Sequence, residues 1–271
     1  MPAWGYAVVT ESTASIPTGT VVWGYWPTSA TLTDLKLKAA EPKGHWIEIS
    51  DHRQKIANLY NRYTEVATPP VSLSSPKFEN GEWDRMAWSS LFCGVWEGAY
   101  LLSQHVFSPN PTTQPPIHPL GTDIAWAATD ADLSSAIVIS LSASGKTARS
   151  FAYHLSKRPK GVGPLGLLQI TSSPSPISEA ADVLKSSYPT KTISYPEISR
   201  GLDWITTLNP SKLVILDFGG RGDSLEELHD AIKTYPALKS SQTMILQIGN
   251  QQKVPISLPL SRTTHAVVHH H

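Results

Sequence analysis

Between residues 136 and 249, short and almost wholly apolar runs alternate with segments of helical periodicity, and this alternation constrains the fold most strongly. "AIVISLS" (136–142), "LGLLQITS" (165–172), "KTISY" (191–195), "KLVILDF" (212–218) and "QTMILQIG" (242–249) read as strands. Residues 147–156, 178–187 and 224–235 read as helices. A strand that is apolar at successive positions is buried on both faces, so it calls for helices above and below a parallel sheet. The expectation is an α/β protein in which residues 131–250 form a doubly wound, Rossmann-like sheet that binds a nucleotide.

The first part of the chain has a different texture. Up to about residue 75, "YAVVTES", "TGTVVWGYWP" and "HWIEIS" are β-branched and aromatic runs broken by Gly and Pro, which predicts short antiparallel strands. From Trp83 to Phe107 the apolar spacing is helical, giving one or two helices. The proline-rich stretch "SPNPTTQPPIHPLGTD" (108–123) is the natural boundary. Residues 1–123 are therefore read as a β-rich lobe with connecting helices, 131–250 as the parallel lobe, and 251–271 as a C-terminal tail. His269 to His271 are left out of the functional reading.

Composition narrows the partners. Lys and Arg total 22 and so do Asp and Glu, so there is no cationic excess to neutralise a nucleic-acid backbone. A lone cysteine, Cys93, excludes an internal disulfide and is read as a small buried hydrophobe. No apolar run reaches the length of a membrane span and the start is not a secretory signal, so a cytoplasmic protein without membrane contact is expected.

The chemistry is sought first in "SLSASGKTARS" (140–150), between the first apolar strand and the next helix. Three readings stand. A P-loop needs a glycine where Ser140 is found, although Lys146 and Thr147 could meet phosphate and magnesium, with Asp217 on a later strand as the acid. A dinucleotide loop without the usual glycine fingerprint could be built from Ser142, Ala143, Ser144 and Gly145, placing a pyrophosphate on the helix amino terminus beside Lys146 and Thr147. A plain strand-to-helix turn, capped by Ser144 or Thr147, needs no ligand.

Four segments, "PAWGYAVVTES", "TGTVVWGYWPTSATL", "YNRY" and "SLSASGKTARSFAYHLS", resemble a family of bacterial and fungal proteins of unknown function that is itself similar to the medium-chain dehydrogenase/reductases. "LQITSS" and "VILDFGG" match its next strand end and its fourth strand. The resemblance implies a GroES-like β lobe, here incomplete at its start, joined to a Rossmann lobe, with the substrate between lobes. It also implies a pyridine nucleotide on the serine-built loop.

The remaining candidates follow from that implication. Thr171, Ser172 and Ser173 end the second strand without the acid that would select an NAD ribose, which with Lys146 favours NADPH. Asp217, Gly219 and Gly220 end the fourth strand, where backbone can lie against the nicotinamide ribose. Tyr60 or Tyr63 could give a proton to a carbonyl as hydride arrives, or could equally pack on one helical face. His45, Glu48, Asp51 and His52 lack the spacing of metal ligands, so no metal is expected. Ser224 and Glu227 form a capping-box signature, and this explains "RGDS" (221–224) better than an adhesion motif does.

The functional expectation is a zinc-independent, NADPH-dependent reductase of a small carbonyl or enoyl compound, in the tailoring chemistry of secondary metabolism where relatives of the family occur. An edge strand that pairs two copies is expected to make a homodimer. The alternative is a non-catalytic or non-redox protein that keeps the reductase fold.

Overall fold

The computed structural model describes residues 2–29, 31–66, 81–249 and 268–270. The chain divides into two compact units, Met1–Gly94 and Val95–His271.

In the first unit, β1 (Pro2–Val8), β2 (Val21–Pro27), β3 (Leu37–Ala40), β4 (His45–Glu48) and β5 (Arg62–Glu65) form an antiparallel sheet in the order β1-β2-β5-β4-β3. Its core is Ile16, Val22, Trp46 and Tyr63. Of these strands, β3 and β5 were not anticipated: the four residues of β3 include no strong strand former, and those of β5 are too few to show an alternation.

A buried polar network braces this sheet. Glu48, 1% exposed, accepts from the Ser50 hydroxyl and from the amides of Ser50 and Lys36, and lies 3.6 Å from the Arg53 guanidinium. Burial pushes its carboxyl upward, but the hydrogen bonds from Ser50 and Lys36, together with the Arg53 charge, outweigh that and hold it below the ordinary value of 4.5. A carboxyl whose pKa falls on folding contributes stability that is complete above the unfolded value and is lost as pH falls through the folded one. Amide exchange of residues 45–65 should therefore accelerate as pH drops below about 4.5, after correction for intrinsic rates. Glu48→Gln should flatten that dependence while lowering stability at pH 7.

α1 (Glu82–Leu101) continues into a π-helical turn, Leu102–Val106. Cys93, on α1, is partly exposed rather than buried as expected, because the helix surface there is not fully covered. The proline-rich stretch 108–123 belongs to the second unit: Ile117 N–H donates to His105 O at 3.0 Å and the Ser108 hydroxyl to Gln114 O at 2.7 Å.

The second unit continues with α2 (Ala128–Ala131), β6 (Ala136–Leu141), α3 (Lys146–Ser156), β7 (Gly166–Ile170), α4 (Pro174–Leu184), β8 (Thr190–Ile193), α5 (Ile198–Thr207), β9 (Lys212–Phe218), α6 (Ser224–Thr234), β10 (Gln242–Gly249) and β11 (Val268–His270). The five strands β10-β9-β6-β7-β8 are parallel, and β11 adds antiparallel to β10. The rest of the C-terminal tail lies outside the described residues.

Both faces of the parallel sheet are covered. Ile137, Ile139 and Leu141 point toward Leu202 and Ile205 of α5 and Leu228 and Ile232 of α6. Ala136 and Val138 point the other way, toward Phe151, Ala152 and Leu155 of α3. Each fully buried Ile or Leu contributes roughly 1.5–3 kcal/mol of transfer free energy, so this sheet is the chief source of stability in the unit. The protein is thus α/β, with a parallel five-stranded sheet and a separate antiparallel sheet.

Candidate functional site

Chain order fixes where the parallel sheet has an opening. From β6 the chain moves outward to β7 and β8, then returns to place β9 on the other side of β6. The connections leaving β6 and β9 therefore diverge, which makes their carboxyl ends the switch point where open α/β sheets commonly form a crevice. Leu141 and Asp217 are in register there, so the loops after the two strands start side by side.

The β6–α3 turn consists of Ser142, Ala143, Ser144 and Gly145. Ser142 has φ 59°, in the left-handed region that a non-glycine residue occupies at a cost. Ala143 N–H donates to Ile170 O at 3.0 Å and Gly145 N–H to Ser142 O at 2.9 Å. Gly145 is the N-cap of α3 and supplies no side-chain cap, so neither Ser144 nor Thr147 fills the capping role that the plain-turn reading gave them. A Cβ at Gly145 would lie 3.2 Å from Ser142 O, which keeps the turn narrow. Lys146, exposed, and Thr147, partly exposed, begin the helix, whose first amides have no partner within it.

This geometry bears on the P-loop reading. Ser140, the position where that motif needs its first glycine, is a buried strand residue paired in register with Gln169 and Leu216. Four residues separate the strand from the helix, too few to wrap a phosphate as the longer motif does. Asp217 is 6% exposed, and its Oδ1 accepts from Gly219 N–H at 3.0 Å and Gly220 N–H at 2.6 Å. That carboxylate shapes its own turn, which Gly219 completes at φ 107°.

At the tip of β7, Thr171 is 1% exposed and its hydroxyl accepts from Ser173 N–H at 3.2 Å. Ser172 and Ser173 are exposed, so of the three hydroxyls only theirs face outward.

One residue at this edge escaped sequence reasoning, and a second was read in another role. Tyr195, just after β8, packs against the buried cluster under α5 and α6. Burial pushes its phenol upward, opposed by Ser142 and by the Arg221 charge. Ser224 is 5% exposed with a buried hydroxyl that has no partner among the described residues. Asp223, not Ser224, is the N-cap of α6, so the capping box expected from Ser224 and Glu227 does not form. With Asp and Ser adjacent, either could have capped; the turn closed by Asp217 decides.

The two tyrosines expected as proton donors lie in the first unit, on a 3-10 turn and on β5 rather than on one helix face. Tyr63 is wholly buried, its hydroxyl donating to Tyr25 O at 2.9 Å and accepting from Arg53 Nη1 at 2.7 Å. Burial pushes its phenol upward, opposed by Arg53. Tyr60 is half-buried, against Trp4 and Tyr25.

His45 accepts from Arg62 Nε at 3.2 Å, and Glu48 serves the network described above. Among the described residues no three His, Cys, Asp or Glu side chains are grouped to hold a metal ion, and no helix is long and apolar enough to cross a membrane.

No curated protein and no solved structure matches the chain. Residues 1–268 match one family, described as a protein of unknown function, DUF2855. That match covers nearly the whole sequence, and the chain belongs to this family.

Proposed function

We propose that the second unit is a Rossmann-like lobe that binds NADPH, and that the protein is a zinc-independent reductase of a small carbonyl or enoyl compound. The observation that carries this reading is the strand order β8-β7-β6-β9-β10, whose switch point brings the Ser142–Thr147 turn beside the Asp217–Gly220 turn. A parallel sheet binds ligands at such a point, and a helix begun without a side-chain cap offers its amides to a pyrophosphate.

The residues present fit that group. Ser142, Ser144, Gly145 and Thr147 would surround the pyrophosphate, while the backbone of Asp217, Gly219 and Gly220 would lie along the second ribose. Ser172 and Ser173, with Lys146, would meet the adenosine 2'-phosphate; Thr171 would hold their turn through its bond to the Ser173 amide. No acid stands at the β7 tip to select a free ribose diol, which supports NADPH over NADH. When bound, the nucleotide would supply hydride. Tyr60 is the better of the two tyrosine candidates for the accompanying proton, because Tyr63 commits its hydroxyl to Arg53 and Tyr25 and burial makes it a weaker acid. The engagement of Tyr63 also favours a second reading, a nucleotide-binding protein with no redox step.

Lys146→Ala tests the assignment. A charged contact to phosphate is worth about 1.5–3 kcal/mol, so the variant should bind NADPH roughly 10- to 100-fold more weakly. NADH, which has no 2'-phosphate, should lose no more than about threefold. Calorimetric titration of both nucleotides reads the difference, and equal losses would remove Lys146 from the 2'-phosphate.

A further inference from the structure

We infer that Arg158 and Tyr188 form a buried site for a small monovalent anion, a halide ion such as chloride, which accepts from the Arg158 Nε–H and the Tyr188 hydroxyl.

Arg158 is 5% exposed, and among the described residues no carboxylate pairs with it. Its Nη1 and Nη2 donate to Val162 O, Ser103 O and Phe107 O, all of them neutral carbonyls. The carbonyls that end a helix carry roughly half a negative charge, so about half of the guanidinium charge is left unmatched. Burial lowers its pKa only to about 10, and the side chain is therefore a cation at neutral pH. Buried ions in folded proteins are held by an opposite charge, because taking one out of water is costly.

The geometry supplies a second donor beside this charge. Arg158 Nε–H and the Tyr188 hydroxyl are both buried without a hydrogen-bond partner among the described residues. Their side chains flank one glycine: a Cβ on Gly163 would come within 3.0 Å of the Tyr188 ring and 4.0 Å of Arg158 Cβ. Tyr188 is 7% exposed and belongs to the same apolar cluster as Leu102, Val106 and Phe107, around the turn that Arg158 closes. Burial pushes its phenol upward, so Tyr188 is a neutral hydroxyl and does not itself balance the guanidinium. The Ser186 side chain is close to the phenol but outside hydrogen-bonding geometry. Two donors need a shared acceptor, and since one of them is charged, an anion satisfies both where water would leave the charge unmatched. A closed site with so few donors suits a monatomic ion rather than phosphate, whose several oxygens each call for partners.

The position is separate from the proposed nucleotide site. Arg158 follows the carboxyl end of α3 and Tyr188 precedes β8, which puts both at the amino edge of the parallel sheet, away from the carboxyl ends of β6 and β9.

Amide exchange of α3 and β6 tests the site, compared in sodium gluconate and sodium chloride at one ionic strength of about 0.2 M, where general screening is the same. An ion that binds only the folded unit slows exchange by one plus the ratio of its concentration to Kd, so wild type should slow about tenfold in full chloride and in proportion to the chloride fraction. Bromide should act likewise. Tyr188→Phe keeps the ring packed and removes one donor, so the chloride effect should fall to about threefold or less. In gluconate the same variant should exchange no faster than wild type, because a buried unpaired hydroxyl has gone. Arg158→Met should lose the chloride effect altogether, and the Tyr188→Phe comparison stands whether or not that variant folds. Equal rates of the wild type in the two salts, an undiminished chloride effect in Tyr188→Phe, or a Tyr188→Phe penalty of the same factor in both salts, as a bridging water would give, would overturn the site.

Discussion

Gly24→Ala is expected to destabilise the first unit by about 3 kcal/mol or more, an effect that packing alone dictates. A Cβ at this position would sit 2.2 Å from Tyr63 Cδ1 and 2.5 Å from Cε1. The ring cannot swing away: it is wholly buried, packed edge-on against Trp26, and held at its hydroxyl by Tyr25 O and Arg53. Either β1–β2 separates from β5 or the Tyr63 hydroxyl gives up both partners. Gly5, paired directly opposite Gly24, is the control. A Cβ there meets nothing within 4 Å, so Gly5→Ala should be neutral or slightly stabilising. Amide exchange resolved to residues 2–65 measures both, which matters because two compact units need not unfold together. Equal effects at the two glycines would refute the packing of Tyr63 described here.

Arg158→Met should cost the second unit about 3–5 kcal/mol. The side chain is 5% exposed, and its guanidinium donates to Ser103 O, Phe107 O and Val162 O. It thereby closes the π-helical turn after α1, since two of the accepting carbonyls lie at that turn. Burial pulls its pKa down to about 10, which still leaves it charged at neutral pH. Methionine would fill much of the volume and leave those carbonyls unpaired, so the penalty is one of lost hydrogen bonds rather than of a cavity. Arg158→Lys should also destabilise, because one ammonium cannot reproduce the planar fork. Lys157→Met, at the exposed neighbouring position, should stay within about 0.5 kcal/mol. Urea unfolding followed by exchange in β6 and α3 distinguishes the three variants.

What could be read from sequence follows from how local its cause is. The strands β6, β7 and β9 were legible because nearly every residue from 137 to 141, 167 to 170 and 213 to 216 is apolar and buried, one set on each face of the sheet. α5 was not. Gly201 and several β-branched residues argue against a helix there, yet Gly201 is what the site requires, since a Cβ would meet Ile193 Cδ1 at 2.7 Å and Leu168 Cδ2 at 3.1 Å. The Ser142–Thr147 turn was legible as a strand-to-helix junction rich in small residues. Its left-handed Ser142 was not, because serine has no preference for positive φ and nothing in the local run marks the position. Thr171 had the right chemistry for a ribose contact, but burial turned its hydroxyl inward to the Ser173 amide. Hydroxyl-bearing tips can be listed from a sequence; which of them face solvent is set by the packing of the next helix.

On the proposed reading, the switch point between the ends of β6 and β9 binds a pyridine dinucleotide. Calorimetric titration of the purified chain with NADPH, NADH and magnesium–ATP tests it most directly. One saturable site for NADPH is expected, tighter than for NADH, with no saturable binding of magnesium–ATP. Binding of neither pyridine nucleotide, or magnesium-dependent binding of ATP alone, would contradict it.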